Sequence, residues 1–383
     1  MWADLAPVGR DGGTGGYRRY AWTSTDALLR EWFRGEAEGR GLEVVSDRAG
    51  NLWAWHGDPE ADGPGLVLGS HLDSVPDGGA FDGPLGIVSA FAALDGLDRT
   101  ALRRPVGIAC FADEEGARFG VACAGSRLLT GVLDPDRARA LTDDGGTTMA
   151  EAMAAGGHDP AGVGRDEETL RRIGTFVELH VEQGRALVDQ SAPLGVAEAI
   201  WPHGRWRLDL LGRADHAGTT RLADRNDPML ALANAVLEAR AAAERHGTVA
   251  TVGKLRVRPN GVNAIPSEVT AWLDARGPLA DAVRAVVADV GKAAGVTAVE
   301  ESWTPSTDFD ADLRDRLADV LAAPVLATGA GHDAGILAAA GIPAAMLFVR
   351  NPTGVSHSPA EHAETGDCLA GVAALARVIE TLA

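Results

Sequence analysis

The chain has 383 residues, of which 46% are apolar and 5% aromatic, and its formal net charge is −19. This length exceeds the roughly 250 to 300 residues that one hydrophobic core usually supports, so two domains are expected. Binding to a phosphate backbone needs a basic stripe, whereas the 35 basic residues are scattered, so no nucleic-acid partner is expected.

A membrane span and a disulfide framework are not expected either. The longest apolar stretch, residues 334–349, is interrupted by glycine and proline and falls short of the ~20 residues that a span needs. The first residues show no basic segment followed by an apolar one, which is the pattern of a secretory signal. The three cysteines are odd in number and form no CxxC pair. We therefore expect a soluble, cytoplasmic protein.

The first 198 residues alternate helical and strand-like patterns, which is typical of an α/β sheet. Residues 24–41 are predicted to be helical, with Ser24 or Thr25 as the N-cap. A second helix is predicted at residues 85–97, after the turn at Asp82. Short apolar runs predict buried strands at residues 66–68, 106–111, 176–179 and, later, 344–349.

Residues 199–301 have a different pattern, which predicts an inserted domain. The predicted elements are a strand at 205–212, a helix at 228–246, strands at 248–257 and 268–275, a helix at 279–294 and a strand at 296–300. This order is that of the split βαβ, or ferredoxin-like, arrangement. Residues 1–198 and 302–383 would then form one discontinuous catalytic domain.

Five residues that can bind metal lie in four short motifs, each preceded by a predicted strand. They are His71 and Asp82 in GSHLDSVPDGGAFDG, Glu115 in DEEGARF, His180 in ELHVEQG and His357 in GVSHSP. Ligands of open α/β sheets bind beyond the carboxyl ends of the strands, so the five can converge on one rim. Taken singly, Asp82 is more typical of a turn and His180 of a hydrogen-bonded core histidine. The combination favours a metal-dependent hydrolase.

Two further carboxylates are predicted to assist. Asp73, two residues after His71, faces the same side of an extended segment and can hydrogen-bond the second imidazole nitrogen, although such a pair can also be purely structural. Glu114 adjoins Glu115 and can contact a metal-bound water as general base, while an ordinary solvated acidic turn is the alternative.

As a set, the motifs resemble the hydantoinase/carbamoylase family of dinuclear metal amidohydrolases, which is related to aminoacylases and carboxypeptidase G. The resemblance covers nearly the whole chain and includes GSHLDSVPDGGAFDGPLG, DEEGARFG, ELHVEQG, ADHAGTT, VNAIPSEV, LDARGP, GAGHDA and GVSHSPAE. It implies a metallopeptidase-like α/β catalytic domain with an inserted α+β domain that serves for dimerisation and as a lid.

The resemblance also implies two divalent metal ions per subunit, of zinc, manganese, cobalt or nickel. Asp82 would bridge them, His71 and His180 would bind one or the other, and Glu115 and His357 would complete the two sites. Glu114 would be the general base. A mixed histidine and carboxylate set does not decide among these metals.

Four polar residues are assigned to the substrate by the resemblance: Gln183, His216, Asn263 and Arg276. Arg276 could pair with a substrate carboxylate through two hydrogen bonds, although an arginine at a strand end is more often a surface residue. His216 suits an oxyanion stabiliser, and in relatives this histidine reaches the neighbouring subunit's site, which implies a homodimer.

The expected reaction is hydrolysis of the C–N bond of a ureido (N-carbamoyl) group on a small carboxylate-bearing substrate, with release of ammonia and carbon dioxide. Allantoate or an N-carbamoyl-L-amino acid fits best. Hydrolysis of N-acyl amino acids or dipeptides is the enzymatic alternative, and a non-catalytic binding protein that retains the fold is the alternative of another class.

The chain departs from the usual family pattern near the substrate residues. Arg221 and Leu222 stand where Pro-Met is common, Asn226 replaces an arginine, and Arg185 stands where a proline often follows EQG. These changes leave the metal ligands intact, but they flank the substrate residues, so the identity of the substrate is not decided by the resemblance.

Overall fold

The apolar runs form strands that are buried along their length. The computed structural model describes residues 1–383. Its strands are β1 (Glu43–Ser46), β2 (Leu52–His56), β3 (Gly65–His71), β4 (Val106–Phe111), β5 (Ile173–Val181), β6 (Leu194–Ile200), β7 (His203–Leu211), β8 (Asp215–His216), β9 (Val249–Arg258), β10 (Ala264–Ile265), β11 (Glu268–Arg276), β12 (Val299–Thr304), β13 (Thr307–Asp308), β14 (Val325–Thr328) and β15 (Ala344–Val349).

Thirteen α-helices connect these strands. They are α1 (Trp2–Leu5), α2 (Ser24–Glu38), α3 (Pro84–Asp95), α4 (Ala124–Thr130), α5 (Pro135–Ala140), α6 (Met149–Ala155), α7 (Glu167–Arg172), α8 (Ala186–Asp189), α9 (Pro228–His246), α10 (Ala280–Ala294), α11 (Ala311–Leu321), α12 (Asp333–Ala339) and α13 (Thr365–Leu382). The N-cap of α2 is Thr23, whose extended backbone lets its side chain accept from Asp26 N, so the predicted cap at Ser24 or Thr25 is wrong. No helix combines the length and apolarity that a membrane crossing needs.

The chain divides into two units. The larger comprises Met1–Glu198 and Asp308–Ala383, and the smaller comprises Ala199–Thr307. The second boundary falls after the predicted residue 301, because β12 pairs with β7 as far as Thr304.

A nine-stranded sheet organises the larger unit, in the order β1-β2-β4-β3-β5-β15-β6-β13, with β14 beside β6. Its centre, β4-β3-β5-β15, consists of parallel neighbours. Every residue of β3, β4 and β15 is buried, as parallel strands covered on both faces require. Helix α3 approaches this centre closely, since a Cβ added at Gly86 would lie 2.3 Å from the Leu179 carbonyl oxygen.

The smaller unit is a four-stranded antiparallel sheet, in the order β12-β7-β11-β9, and it has a hydrophobic core of its own. Residues of α9 and α10, such as Ala235 and Val286, belong to that core. The strand order and the two helices are those of the ferredoxin-like arrangement. The predicted architecture, an α/β sheet unit together with a ferredoxin-like α+β unit, is therefore confirmed.

Candidate metal centre

The carboxyl ends of the central parallel strands carry the five predicted ligands or the loops that hold them. His71 is the last residue of β3, and His180 is the penultimate residue of β5. Glu115 follows β4, His357 follows β15, and Asp82 lies between β3 and α3. Because these strands run parallel as neighbours, their ends lie at one edge of the sheet.

The five side chains form two groups that share Asp82. One group is His71, Asp82 and His180, and the other is Asp82, Glu115 and His357; within each, the potential ligand atoms lie within 4.8 Å of one another. The Oδ1 atom of Asp82 lies 3.5 Å from His71 Nε2 and 3.1 Å from His180 Nε2. Its Oδ2 atom lies 3.4 Å from His357 Nε2. Asp82 therefore turns one oxygen toward each group.

The donor atoms of these groups fit a metal ion. The Nε2 atoms of His71 and His180 and the Oε1 atom of Glu115 are buried without a hydrogen-bond partner. Buried polar groups are normally hydrogen-bonded, and unpartnered imidazole and carboxylate atoms are donors that a divalent transition metal binds. The residues present therefore match the expected cofactor in type and placement.

Backbone carbonyl groups orient the two buried imidazoles. His71 Nδ1 lies 3.1 Å from the Asp73 carbonyl oxygen, and His180 Nδ1 lies 2.9 Å from that of Val181. If each Nδ1 carries the proton, each Nε2 is free to bind metal.

The Asp73 carboxylate lies near His71 and also binds a second segment. It lies 3.5 Å from His71 Nδ1, but it accepts hydrogen bonds from the backbone N–H groups of Glu114 at 3.2 Å and Glu115 at 3.0 Å. Through these two hydrogen bonds the Asp73 carboxylate holds the Glu114–Glu115 segment at the end of β4. The backbone carbonyl of Asp73 lies nearer to His71 Nδ1 than the carboxylate does.

The charges of the cluster perturb one another. Burial opposes the charged form of Asp82, but His180, His357 and His71 outweigh it and hold the pKa of Asp82 well below its usual range. Burial raises the pKa of Glu115 to about 7, and the hydrogen bond to Asp82 raises the pKa of His357 to about 9. Protons and metal ions compete for such groups, so binding of a metal ion here would release protons.

Glu114 lies beside the first group and outside the ligand set. Its Oε2 atom is 3.8 Å from His71 Nε2, and its Oε1 atom accepts the thiol of Cys123 at 3.3 Å. Burial raises the pKa of Glu114 well above its usual range. A carboxyl group whose pKa is raised by burial is suited to accept and return a proton.

His332 is a residue of this cluster to which the sequence reasoning gave no role. It precedes α12, is 3% exposed, and its Nε2 atom has no hydrogen-bond partner. Its ring centroid lies 4.5 Å from that of His180, and burial together with the His180 charge holds its pKa well below its usual range. The GAGHDA motif could have indicated a role for His332, but a histidine that precedes a helix resembles an ordinary N-cap residue.

Gln183 lies in the larger unit with the ligands. Its Nε2 atom donates to Asp82 Oδ2 at 2.9 Å and lies 3.3 Å from both Ser356 Oγ and His357 Nε2. Gln183 therefore contacts the shared carboxylate directly.

His216, Asn263 and Arg276 lie in the smaller unit. His216 is in β8, which pairs with β10, and the Asn263 carbonyl accepts from Ala217 N at 3.0 Å. The structure thus brings His216 and Asn263 together. Arg276 ends β11 and is held by Asp274 through two hydrogen bonds, of 2.7 and 3.0 Å.

Comparison with known proteins places this geometry in a family. The model of peptidase family M20/M25/M40 matches residues 67–381. The chain is 35% identical to the N-carbamoyl-L-amino acid amidohydrolase of Geobacillus stearothermophilus, covering 100% of this chain and 98% of that protein. It is 32% identical to the allantoate amidohydrolase of Escherichia coli K12, covering 96% and 93%.

A solved structure agrees over the same extent. The hydantoinase/carbamoylase family amidase of Burkholderia vietnamiensis superposes with a TM-score of 0.88 at 28% identity, covering 100% of this chain and 95% of that one. The chain belongs to the M20/M25/M40 peptidase family, in its hydantoinase/carbamoylase branch. The prediction of a hydrolase is confirmed.

Proposed function

We propose that the protein hydrolyses the C–N bond of a ureido group on a small carboxylate-bearing molecule, either allantoate or an N-carbamoyl-L-amino acid. The observation that carries the proposal is the pair of ligand groups that share Asp82, with Glu114 beside them. The two relatives reported above, named for these two substrate classes, support the choice of substrate.

Two divalent ions would be held by His71, Asp82 and His180 on one side and by Asp82, Glu115 and His357 on the other. When bound, such ions polarise a carbonyl group and lower the pKa of water to about 7. Zinc, manganese, cobalt and nickel all suit imidazole and carboxylate donors.

Glu114 takes the proton of the attacking water and returns it to the leaving nitrogen. Its position outside the ligand groups leaves the carboxylate available for that transfer. Addition of water to the ureido carbonyl and cleavage of the C–N bond yield, overall, the free amine, carbon dioxide and ammonia.

His216 is suited to stabilise the oxyanion. Gly218 N–H donates to His216 Nδ1 at 3.0 Å, so the proton of the neutral ring is on Nε2. The exposed ring therefore offers an N–H donor to a developing negative charge. Arg276 would bind the substrate carboxylate, with Asp274 fixing the plane of its guanidinium group.

We further propose that the protein is a homodimer formed through the smaller unit. Strand β9 is an edge strand, and exposed apolar side chains lie on it and on α9, namely Val249, Leu255, Leu230 and Leu237. An open edge next to apolar surface favours pairing with another copy. Sedimentation analysis of the wild type and of Leu237→Glu tests this; a monomeric wild type contradicts it.

The decisive test of the reaction compares Glu114→Gln with the wild type on metal-loaded protein. We expect turnover to fall by roughly 100-fold or more, since general base catalysis contributes 10²–10⁴-fold, while metal content is unchanged. Ammonia release and product masses are measured with allantoate, N-carbamoyl-L-amino acids and matched N-acetyl compounds. A near-normal rate in Glu114→Gln would sink the assignment of the base.

The panel also separates the substrate alternatives. Turnover of ureido compounds alone supports the proposal, whereas activity confined to N-acetyl compounds keeps the hydrolase and overturns the substrate class. A wild-type protein that binds metal and turns over none of these compounds contradicts the proposed reaction.

A further inference from the structure

A buried carboxylate outside the ligand set joins two of the segments that supply ligands. Glu361 is 5% exposed. Its Oε1 atom accepts the backbone N–H groups of Phe81 and Asp82, both at 2.9 Å. Its Oε2 atom accepts the Ser356 hydroxyl at 3.2 Å. Glu361 therefore ties the backbone of the shared ligand Asp82 to the residue that precedes His357.

The two ligand groups differ in what holds them. The His71 and His180 side chains are almost fully buried, lie within strands, and each ring is oriented by a nearby carbonyl group. The His357 side chain is 50% exposed, and its backbone has φ +54°, in the left-handed region that a non-glycine residue disfavours. The group with His357 thus depends more on contacts between loops.

Ser356 connects Glu361 to the shared carboxylate itself. The Ser356 hydroxyl lies 3.3 Å from Asp82 Oδ2, the oxygen that faces His357. Glu361 therefore holds Asp82 directly at its backbone N–H, and it also positions the Ser356 hydroxyl, whose single proton can be shared between Glu361 Oε2 and Asp82 Oδ2. The backbone contact supports a residue that both groups share, whereas Ser356 lies beside the oxygen that faces His357, in the group formed by Asp82, Glu115 and His357.

We propose that Glu361 is a positioning residue for this second group, and that its loss weakens the ion held by Asp82, Glu115 and His357 more than the ion held by His71, Asp82 and His180. The inference rests on the proposed two-ion centre. Partners that orient metal ligands typically contribute 10–100-fold to metal affinity. The variant should therefore lose the ion held by Asp82, Glu115 and His357 at a chelator concentration roughly 10–100-fold lower than the wild type does.

Four variants make the test specific. Glu361→Ala removes the acceptor of two buried N–H groups and the partner of Ser356. Glu361→Gln is the conservative rescue, because its amide oxygen can accept from Phe81 and Asp82 and its NH₂ can donate to Ser356. Gly79→Ala should displace the Glu361 carboxylate without changing Glu361 itself, since the added Cβ would lie 2.3 Å from Glu361 Oε1. Glu364→Ala, an exposed carboxylate of the same segment, is the control.

The measurement is the metal-to-protein ratio after dialysis against graded chelator, with zinc or manganese as the only metal. We expect Glu361→Ala and Gly79→Ala to pass through a one-ion state where the wild type and Glu364→Ala keep two, with Glu361→Gln closer to the wild type. Excess metal should return both ions and most of kcat, which a misfolded protein would not regain.

Each other outcome has a definite meaning. Equal retention in all variants, or simultaneous loss of both ions in Glu361→Ala, overturns the role of Glu361. If Glu361→Ala does not fold, Gly79→Ala carries the same test. A wild type that never binds two ions overturns the two-ion centre instead, so the failure of the inference and that of the proposed function are distinguishable.

Discussion

The side chain of Glu114 is held in position by a cysteine whose thiol is buried and protonated. Cys123 donates its thiol to Glu114 Oε1 and its backbone N–H to the Glu114 carbonyl, and its own backbone has φ +54°. Burial raises the pKa of the Cys123 thiol well above its usual value, so it stays protonated and remains a donor. Cys123 thus fixes Glu114 at both its backbone and its side chain.

Replacing Cys123 with Ala should lower kcat without removing metal. Weak hydrogen bonds such as S–H···O contribute about 0.5–1 kcal/mol, so the expected decrease is roughly two- to fivefold. Cys123→Ser keeps a hydroxyl donor and should lie nearer the wild type. Steady-state kinetics with metal analysis checks this, and an Ala variant with unchanged kcat argues against any role in orienting Glu114.

Replacing Arg276 with Lys should raise KM for a carboxylate substrate. A lysine offers a single ammonium in place of the planar fork, and charge-assisted hydrogen bonds contribute about 1.5–3 kcal/mol, so a roughly 10- to 100-fold increase is expected. Arg205→Lys is the matched control, because Arg205 Nε lies 3.6 Å from the same Asp274 carboxylate. An equal increase of KM in the two variants would contradict the assignment of Arg276 to the substrate carboxylate.

At the scale of elements, the ligands converge because four neighbouring strands are parallel. The sequence predicted that each ligand follows a strand, since short apolar runs bounded by glycine and proline are visible locally. It did not predict the order β4-β3-β5-β15 or the pairing of β15 with β6. Those depend on contacts between residues far apart in the chain, which no local pattern records.

Close packing of α3 on the sheet makes Gly86 sensitive to any added side chain. In Gly86→Ala the new Cβ would lie 2.3 Å from the Leu179 carbonyl oxygen, so the free energy of unfolding should fall by roughly 1–3 kcal/mol. Gly35→Ala, in α2 with no heavy atom within 4 Å of the added Cβ, should raise it by roughly 0.5–1 kcal/mol. Urea unfolding measures both, and a neutral Gly86→Ala would contradict the close approach.

For the whole molecule, all the proposed metal ligands belong to the larger unit. Ions that bind only the folded state stabilise it, and metal removal should lower the melting temperature accordingly. Hydrogen exchange should show the loss of protection in the ligand loops at 71–83, 112–116 and 356–361. Strands β7 and β11, in the separate core of the smaller unit, should keep their protection. Equal loss in both units would contradict this assignment.

The candidate site could be predicted from the sequence in outline, but several of the residues that support it could not. Five ligands and Glu114 stand in motifs whose residue types already indicate metal chemistry. His332 and Glu361 lie within the quoted motifs GAGHDA and GVSHSPAE, yet no role was assigned to them or to Cys123, because a cysteine before a helix, a histidine at an N-cap and a glutamate shortly after a proline are common without any such role. Their contacts with Glu114, His180 and Asp82 arise only from tertiary packing.

The parallel pairing of β15 with β5 affects how the protein can be made. Strand β5 is complete once Val181 has been synthesised, whereas its partner begins at Ala344. At roughly 5–20 residues per second, the ribosome needs about 10 to 30 s to produce the chain between them. Throughout that interval one edge of an apolar strand lacks its partner and can recruit other chains. Nascent chains that stop short of Ala344 should therefore aggregate unless a chaperone covers that edge.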